Sequence, residues 1–397
     1  MSDNFKVEKP RNNKYPPKGI TLEIMVRELV AKFGWADLGQ QVYIKCFNEN
    51  PSIKSSVVFL KKMTWARLQV EDLYYTNFGG RPENWGQNFT PQTNIKTGFG
   101  FNSTADDVAA GLNLTGKVVV ITGGHSGIGL ETTRVLSEKG ARVIVGSRDP
   151  EKARQSLASM KSVECLQLDL SLPKSIDEFA QKILTMRLEI DILINNAGVM
   201  ALPETRDARG YEMQFATNHL GHFQLTEKLF PGLKQGSRVI TLTSAGHRFS
   251  PINFDDINFT QNPYDKWKAY GQSKTANSLF AVELDLRMKE FGVRSFAVHP
   301  GRIADTSLMR HMDESEFKAA SSASPALMKT IAQGAATTVW AATSPVLADL
   351  GGVYCADCNI SPLVKDVTAS PAGVLAYAVD HKIAQQLWDL SEKMTEN

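Results

Sequence analysis

The sequence predicts an α/β fold, a doubly wound parallel sheet, preceded by a small all-helical unit. Three observations carry that expectation. From residue 114 onward, short apolar strand patterns alternate with amphipathic helical ones, the rhythm of a parallel sheet covered on both faces. The first of these strands, within KVVVITGGHSGIGL at 117–130, runs straight into a helix through a glycine-rich turn. Residues 18–78 instead show helical spacing, with Thr21 placed to cap a first helix and Gly34 to end it. The expected division is 1–78 for the helical unit, 79–111 for a linker and 112–397 for the α/β domain.

Composition narrows the class. The chain has 397 residues, of which 42% are hydrophobic and 22% charged, enough for one large core or two domains. A net charge of +2 gives the whole chain no strong electrostatic preference. Four cysteines, at 46, 165, 355 and 358, are too few and scattered for a disulfide framework, which fits a reducing compartment. The opening MSDNFKVEKPRNNKYPP lacks the apolar centre of a secretory signal, and no apolar run approaches the ~20 residues of a membrane span. The expectation is a cytoplasmic protein without a membrane partner.

In the first unit, Leu22, Met25, Val26, Leu29, Val30 and Phe33 follow helical spacing. A second helix opens at Asn50-Pro51-Ser52 and carries Ile53, Val57, Phe59 and Leu60. A third covers 65–75, with Leu68, Val70, Leu73 and Tyr74 on one side. Residues 1–78 hold 12 Lys/Arg and 8 Asp/Glu, a net +4, while the remaining 32 and 34 give −2. The basic excess includes Lys54, Lys61, Lys62 and Arg67. Trp65, Tyr74-Tyr75, Asn77 and Trp85 imitate the aromatic spacing of a WW module, but 66–73 reads as helix rather than as two strands joined by a glycine turn. Residues 79–111, rich in Gly, Asn, Thr and Pro, read as a linker able to pack on the second domain, and FGFNSTADDVAAGLNLTGKVVVITGG resembles the lead-in of retinol-dehydrogenase-like reductases, which implies a helix at about 103–110.

The α/β domain follows in order. Val118 to Ile121 form an uninterrupted β-branched run, as expected of a strand buried on both faces. Gly123, Gly127 and Gly129 follow it, and glycines there let backbone approach a pyrophosphate whose charge the helix N-terminus stabilises. Strand two, 141–145, ends in Gly146-Ser147-Arg148-Asp149. An acid at this strand end suits a ribose hydroxyl and an arginine suits a 2′-phosphate, so Arg148 favours NADP(H) while Asp149 keeps NAD(H) open. Strand three ends in Leu168-Asp169-Leu170, strand four in Asn195-Asn196-Ala197-Gly198, and a later helix carries Asn218. Strand five, 238–243, leads to Ser244. After an insertion, Tyr270 and Lys274 stand one turn apart on one helix face. A phenol of pKa near 10 is only ~0.1% ionised at neutral pH, and a nearby ammonium together with a positive nicotinamide ring favours its phenolate. Strand six leads to Pro300-Gly301, and the polar stretch 309–324 suits a lid over substrate. Cys355-Ala-Asp-Cys358 has no second pair nearby in sequence, which weighs against zinc or redox chemistry.

These ordered motifs resemble the short-chain dehydrogenase/reductase family, in its retinol-dehydrogenase-like and WW-oxidoreductase-like branch, over about residues 112–393. The resemblance implies a Rossmann fold and an enzyme interconverting a carbonyl and an alcohol with a nicotinamide cofactor. It implies cofactor contacts from Gly123, His125, Ser126, Gly127, Ile128, Gly129, Arg148, Asp169, Asn195, Ala197, Gly198, Tyr270, Lys274, Pro300 and Gly301. It implies catalytic roles for Asn218, Ser244, Tyr270 and Lys274. Asp305, followed by Thr306, stands where the family usually has a threonine beside the carboxamide. Residues 18–78, through PSIKSS and WAR, resemble a small bacterial family of helical DNA-binding proteins, which implies double-stranded DNA as a partner. The competing expectation is a DNA-binding regulator whose reductase-like domain senses NADP(H). Oligomeric state is open, a homo-oligomer included.

Overall fold

The structure, a computed structural model, describes residues 20–42, 44–62, 64–78, 90–303, 307–312, 315–316, 327–366 and 372–396. Trp85, Asp305, Thr306 and most of the expected lid lie outside the described residues. The chain divides into two compact units, residues 1–88 and 89–397.

The first unit is helical: α1 (Leu22–Gln41), α2 (Lys45–Asn48), α3 (Ile53–Lys62) and α4 (Thr64–Phe78). Thr21 caps α1 by accepting a bond from the Ile24 amide. Gly34, at φ +73°, bends the helix rather than ending it, because the chain resumes helical geometry beyond. Met25, Val26, Leu29, Leu38, Phe47, Leu60, Val70 and Tyr74 close the core. Trp65 and Tyr74 therefore sit on one continuous helix, which excludes the paired strands of a WW module. Lys54 and Lys61 are exposed on α3. Arg67, half-buried, is paired at 3.2 Å with the buried Glu71 one turn on, so it is not a free surface cation.

The second unit is an eight-stranded sheet in the order β3-β2-β1-β4-β5-β6-β7-β8. Its strands are β1 (Val118–Thr122), β2 (Arg142–Ser147), β3 (Val163–Gln167), β4 (Ile190–Asn195), β5 (Leu233–Leu242), β6 (Arg294–His299), β7 (Val353–Ala356) and β8 (Asn359–Ile360). Each neighbouring pair from β1 to β7 is parallel, and only β8 returns antiparallel. Alternate residues of one strand feed opposite cores: Val119 and Ile121 face one, Val118 and Val120 the other. Both faces being covered, Val118 to Ile121 read as a continuous apolar run. The first core is closed by α6 (Gly127–Glu138) and by a helix at Ile331–Thr343. The second is closed by α8 (Pro173–Thr185), α10 (Gly221–Leu229), α11 (Lys266–Met288) and Trp388 of the terminal helix His381–Thr395. Between β2 and β3 runs α7 (Pro150–Leu157) and, before α10, the single turn α9 (Met213–Phe215).

Within residues 90–111, contacts run to the far edge of this unit. Gln92 donates to the carbonyls of Tyr354 and Ser361, and α5 (Ala105–Val108) is capped by a reciprocal Thr104–Asp107 pair. Strand order reverses between β1 and β4, and at that reversal the carboxyl ends of the strands leave a crevice.

Candidate functional site

The glycine turn lies at this crevice, between β1 and α6. Gly123 and Gly127 take φ of +65° and +51°, which favours glycine. A Cβ on Gly129 would lie 2.4 Å from the Gly123 carbonyl oxygen and 2.5 Å from Asn196 Nδ2, so turn and helix touch backbone to backbone. Ser126 stands at the N-cap of α6 but makes no side-chain cap bond, leaving the first helical amides to other acceptors. The His125 ring, half-buried, has an unpartnered Nδ1. Its pKa is pushed down by burial and then by Lys152 and Arg148. Open helical amides, a tight cradle and a patch of positive potential form a donor set that fits a dinucleotide phosphate.

At the end of β2, Arg148 is exposed, and its charge bears on His125, Arg310 and His311. Asp149 is engaged in the fold itself, since its carboxylate caps α7 by accepting from the Lys152 amide at 3.0 Å. Asp169 accepts from both the amide and the hydroxyl of Ser171, which orders the turn after β3.

One expected cofactor residue turns away. Asn195 is fully buried and donates to Thr226 and Thr241, tying β4 to α10 and β5. A strand alternates its side chains, and the second asparagine of the pair is the one facing the crevice. Asn196 Nδ2 donates to the carbonyls of Thr122 and Gly123, and Thr122 Oγ1 accepts the amides of Asn196 and Ala197. Ala197 lies 3.1 Å from the position of a Gly123 Cβ, and a Cβ on Gly198 would lie 3.2 Å from Asn218 Oδ1 and 3.6 Å from Lys274 Nζ. Gly198 thus keeps open the space between these two side chains.

Asn218 sits in one turn of π-helix, Ala216–Leu220, a geometry often found at functional sites. It accepts from the Val199 amide at 2.8 Å and donates to the Val199 carbonyl and to Ser273 Oγ, both at 2.9 Å. His222, one turn further, bridges the Asn218 carbonyl and Thr122 Oγ1. The i, i+4 spacing of Asn218 and His222 was a visible signal for that bridge.

Tyr270 and Lys274 face the same space from α11, whose first turn Asp265 caps. Tyr270 is 3% exposed, and its hydroxyl is hydrogen-bonded to Ser244. A Cβ on Gly246 would lie 2.6 Å from the Tyr270 ring, so glycine there is needed for Ser244 to come this close. Lys274 Nζ donates to the Leu242 carbonyl at 3.0 Å and stands 5.8 Å from the tyrosine ring centre. Burial pushes Tyr270 up to about 12, with Ser244 opposing, and pushes Lys274 down to about 8. Desolvation of groups sealed inside the fold thus disfavours the charged form of both side chains, the phenolate and the ammonium alike.

Gly301, at φ +92°, leaves room for Lys329, whose Cδ would lie 2.6 Å from a Cβ there. Met200, Ala201 and Tyr270 form an apolar cluster with Trp267, Leu308, Met309 and Met312 packed on it. Cys355 and Cys358 are buried free thiols that burial pushes up, Cys358 to about 11, which opposes thiolate chemistry. Among the described residues no helix is long and apolar enough to cross a membrane, and no group of three His, Cys, Asp or Glu could hold a metal ion.

Comparison with known proteins adds the relatives. Residues 117–316 match the family described as short chain dehydrogenase. Residues 13–75 match the family described as DNA-binding protein VF530. The chain is 40% identical over 322 residues to "Short-chain dehydrogenase TIC 32 A, chloroplastic" of Brassica napus, covering 76% of this chain and 96% of that protein. It is 36% identical over 299 residues to retinol dehydrogenase 14 of Mus musculus, covering 70% and 86%. Among solved structures, the Pseudomonas aeruginosa RhlG/NADP active-site complex matches with a TM-score of 0.51 and 25% identity, over 62% of this chain and 95% of that one.

Proposed function

The chain belongs to the short-chain dehydrogenase/reductase family, and from that premise we propose that it is an NADP(H)-dependent enzyme interconverting a carbonyl and an alcohol. The observation that carries the reading is the convergence of Ser244, Tyr270, Lys274 and Asn218 beside Gly198 at the end of the sheet. Gly123, His125, Ser126, Gly127, Ile128 and Gly129 would hold the dinucleotide, which would supply or accept the hydride. Tyr270 gives a proton to the carbonyl oxygen on reduction and takes it back from the alcohol on oxidation. Ser244 donates a hydrogen bond to the same oxygen, and Lys274 holds the ribose and offsets charge on the phenolate. Asn218 fixes the Val199 backbone and Ser273, which together set the helix face carrying Tyr270. Asp169 meets the adenine, while Ala197, Pro300 and Gly301 wall the nicotinamide end. The apolar wall of Met200, Trp267 and Leu308 favours an apolar substrate body. A test is NADPH oxidation against a panel of aldehydes, ketones and quinones; no turnover with any of them counts against the reading.

Asp149 is engaged in capping α7, and Arg148 shares its surroundings with Lys152 and Arg310, which supports NADPH over NADH. Arg148→Ala is expected to weaken NADPH binding by about 1.5–3 kcal/mol, the range for a hydrogen bond to a charged group, and to leave NADH binding nearly unchanged. Fluorescence titration of both cofactors against both proteins checks this, equal losses assigning Arg148 a structural part.

The first unit is read as a double-stranded DNA contact. Ser52 caps α3 by accepting from the Ser55 amide, both hydroxyls are exposed, and Lys54 and Lys61 are exposed on the same helix. With Arg67 engaged by Glu71, a contact made by two or three of the sequence's lysines at 54, 61 and 62 gives a logarithmic salt slope near −2 to −3, about 0.9 per neutralised phosphate. Replacing Lys61 and Lys62 by alanine should flatten it by about two units in anisotropy titrations of residues 1–88 on duplex DNA. Binding indifferent to salt would exclude the electrostatic contact and leave the unit as a protein-binding module.

A further inference from the structure

Two buried histidines outside the expected site meet at one peptide bond. The carbonyl of Ser244 accepts from His247 Nδ1 at 2.8 Å. The amide on the other side of that bond, Ala245 N–H, donates to His299 Nδ1 at 3.3 Å. His299 Nδ1 also accepts from the Gly301 amide at 3.4 Å, and His247 Nε2 accepts from the Leu375 amide at 3.3 Å. Tyr377 and Thr275 both donate to the His247 carbonyl.

We propose that His247 and His299 are positioning residues that clamp the Ser244–Ala245 peptide from its two sides, setting Ser244 Oγ against the Tyr270 hydroxyl. The clamp rests on the reductase reading of that site. It requires opposite neutral tautomers, His247 with its proton on Nδ1 and His299 with its proton on Nε2, because a proton on His299 Nδ1 would face two donors. The surroundings enforce neutrality. Arg248 faces both rings, Lys329 and Arg302 face His299, and the Tyr354 ring packs against both at 5.2 and 6.3 Å. Lys329 is itself paired with Asp357 at 2.6 Å. Burial pushes His247 down to about 4 and His299 to about 3. Through Gly301, His299 also links the Ser244 loop to the loop expected at the nicotinamide, so one ring sets proton donor and cofactor wall together.

Two measurements on the full chain test this. Nitrogen-15 NMR of histidine-labelled protein, assigned with the His247→Asn and His299→Asn variants, should show the two opposite neutral tautomers unchanged from about pH 8 to about pH 5. A titration of either ring in that interval, or the other tautomer, overturns the clamp whether or not the protein turns over any carbonyl compound. In steady-state kinetics, His299→Leu should lower kcat by about 10–100-fold, the cost of a misplacement near 1 Å, with the KM for NADPH little changed. His299→Asn, whose Oδ1 falls near the lost Nδ1, should recover most of the loss. An asparagine variant as slow as the leucine one, or a leucine variant at wild-type kcat, rejects the hydrogen bond as the agent. If the NMR pattern holds while no carbonyl compound is reduced, the reductase reading falls and the tautomeric clamp stands.

Discussion

Tyr270→Phe is expected to lower kcat for NADPH-dependent carbonyl reduction by about 10²–10⁴-fold, the usual contribution of a positioned general acid, with NADPH affinity within a few-fold. Tyr270 is 3% exposed and pushed up to about 12, so its proton is fully loaded at any working pH. Ser244 is bonded to the phenol oxygen and orients it. Phenylalanine removes one oxygen and keeps the ring that fills the space beside Gly246 and Met200. The glycine cradle is untouched, so binding and chemistry should separate cleanly. Single-turnover reduction followed at the NADPH absorbance, with cofactor affinity measured in parallel, checks this. Wild-type kcat in the variant would assign proton transfer elsewhere.

The fold was legible because its determinants are periodic. The β1 run and the alternation of strand and helix are local patterns, and the Tyr270–Lys274 spacing, common on solvated helices, gained its meaning from its place after the fifth strand with Ser244 upstream. What escaped is set by direction and by distance in the chain. Asn195 and Asn196 are adjacent and chemically identical, and only strand register decides which one meets the glycine turn. Asp149 and Arg148 are neighbours at a strand end, and only the folded chain shows that Asp149 caps α7. The pKa of Tyr270 depended on whether burial or the ammonium wins, which no spacing reveals. His247 and His299 lie 52 positions apart with no pattern joining them, yet β5 and β6 are neighbours and bring them to one peptide. In the first unit, Arg67 read as a surface cation because its partner Glu71 is buried only after α4 packs.

Lys274→Met should abolish most turnover while raising thermal stability, two effects of opposite sign from one side chain. Lys274 is 4% exposed, burial is the sole influence on its charge, and its hydrogen bond goes to the Leu242 carbonyl. Burial alone pushes it down to about 8. Folding therefore works against the proton: above about pH 10.5 neither state is charged, and below about pH 8 both are, at a cost to the folded state of roughly 3 kcal/mol. Between these limits the unfolded chain binds the proton and the folded one does not, so this group makes wild-type stability rise with pH. Methionine matches the aliphatic stem and removes the charge. The Leu242 carbonyl keeps a donor in Asn277, at 2.9 Å, so little is left unsatisfied. A lost hydrogen bond of about 1 kcal/mol leaves a net gain near 2 kcal/mol at pH 7. Thermal melts of the larger unit in wild type and variant, from about pH 7 to about pH 10.5, should show a gap that closes as pH rises. A gap independent of pH would mean that packing, and not the buried charge, separates the two proteins.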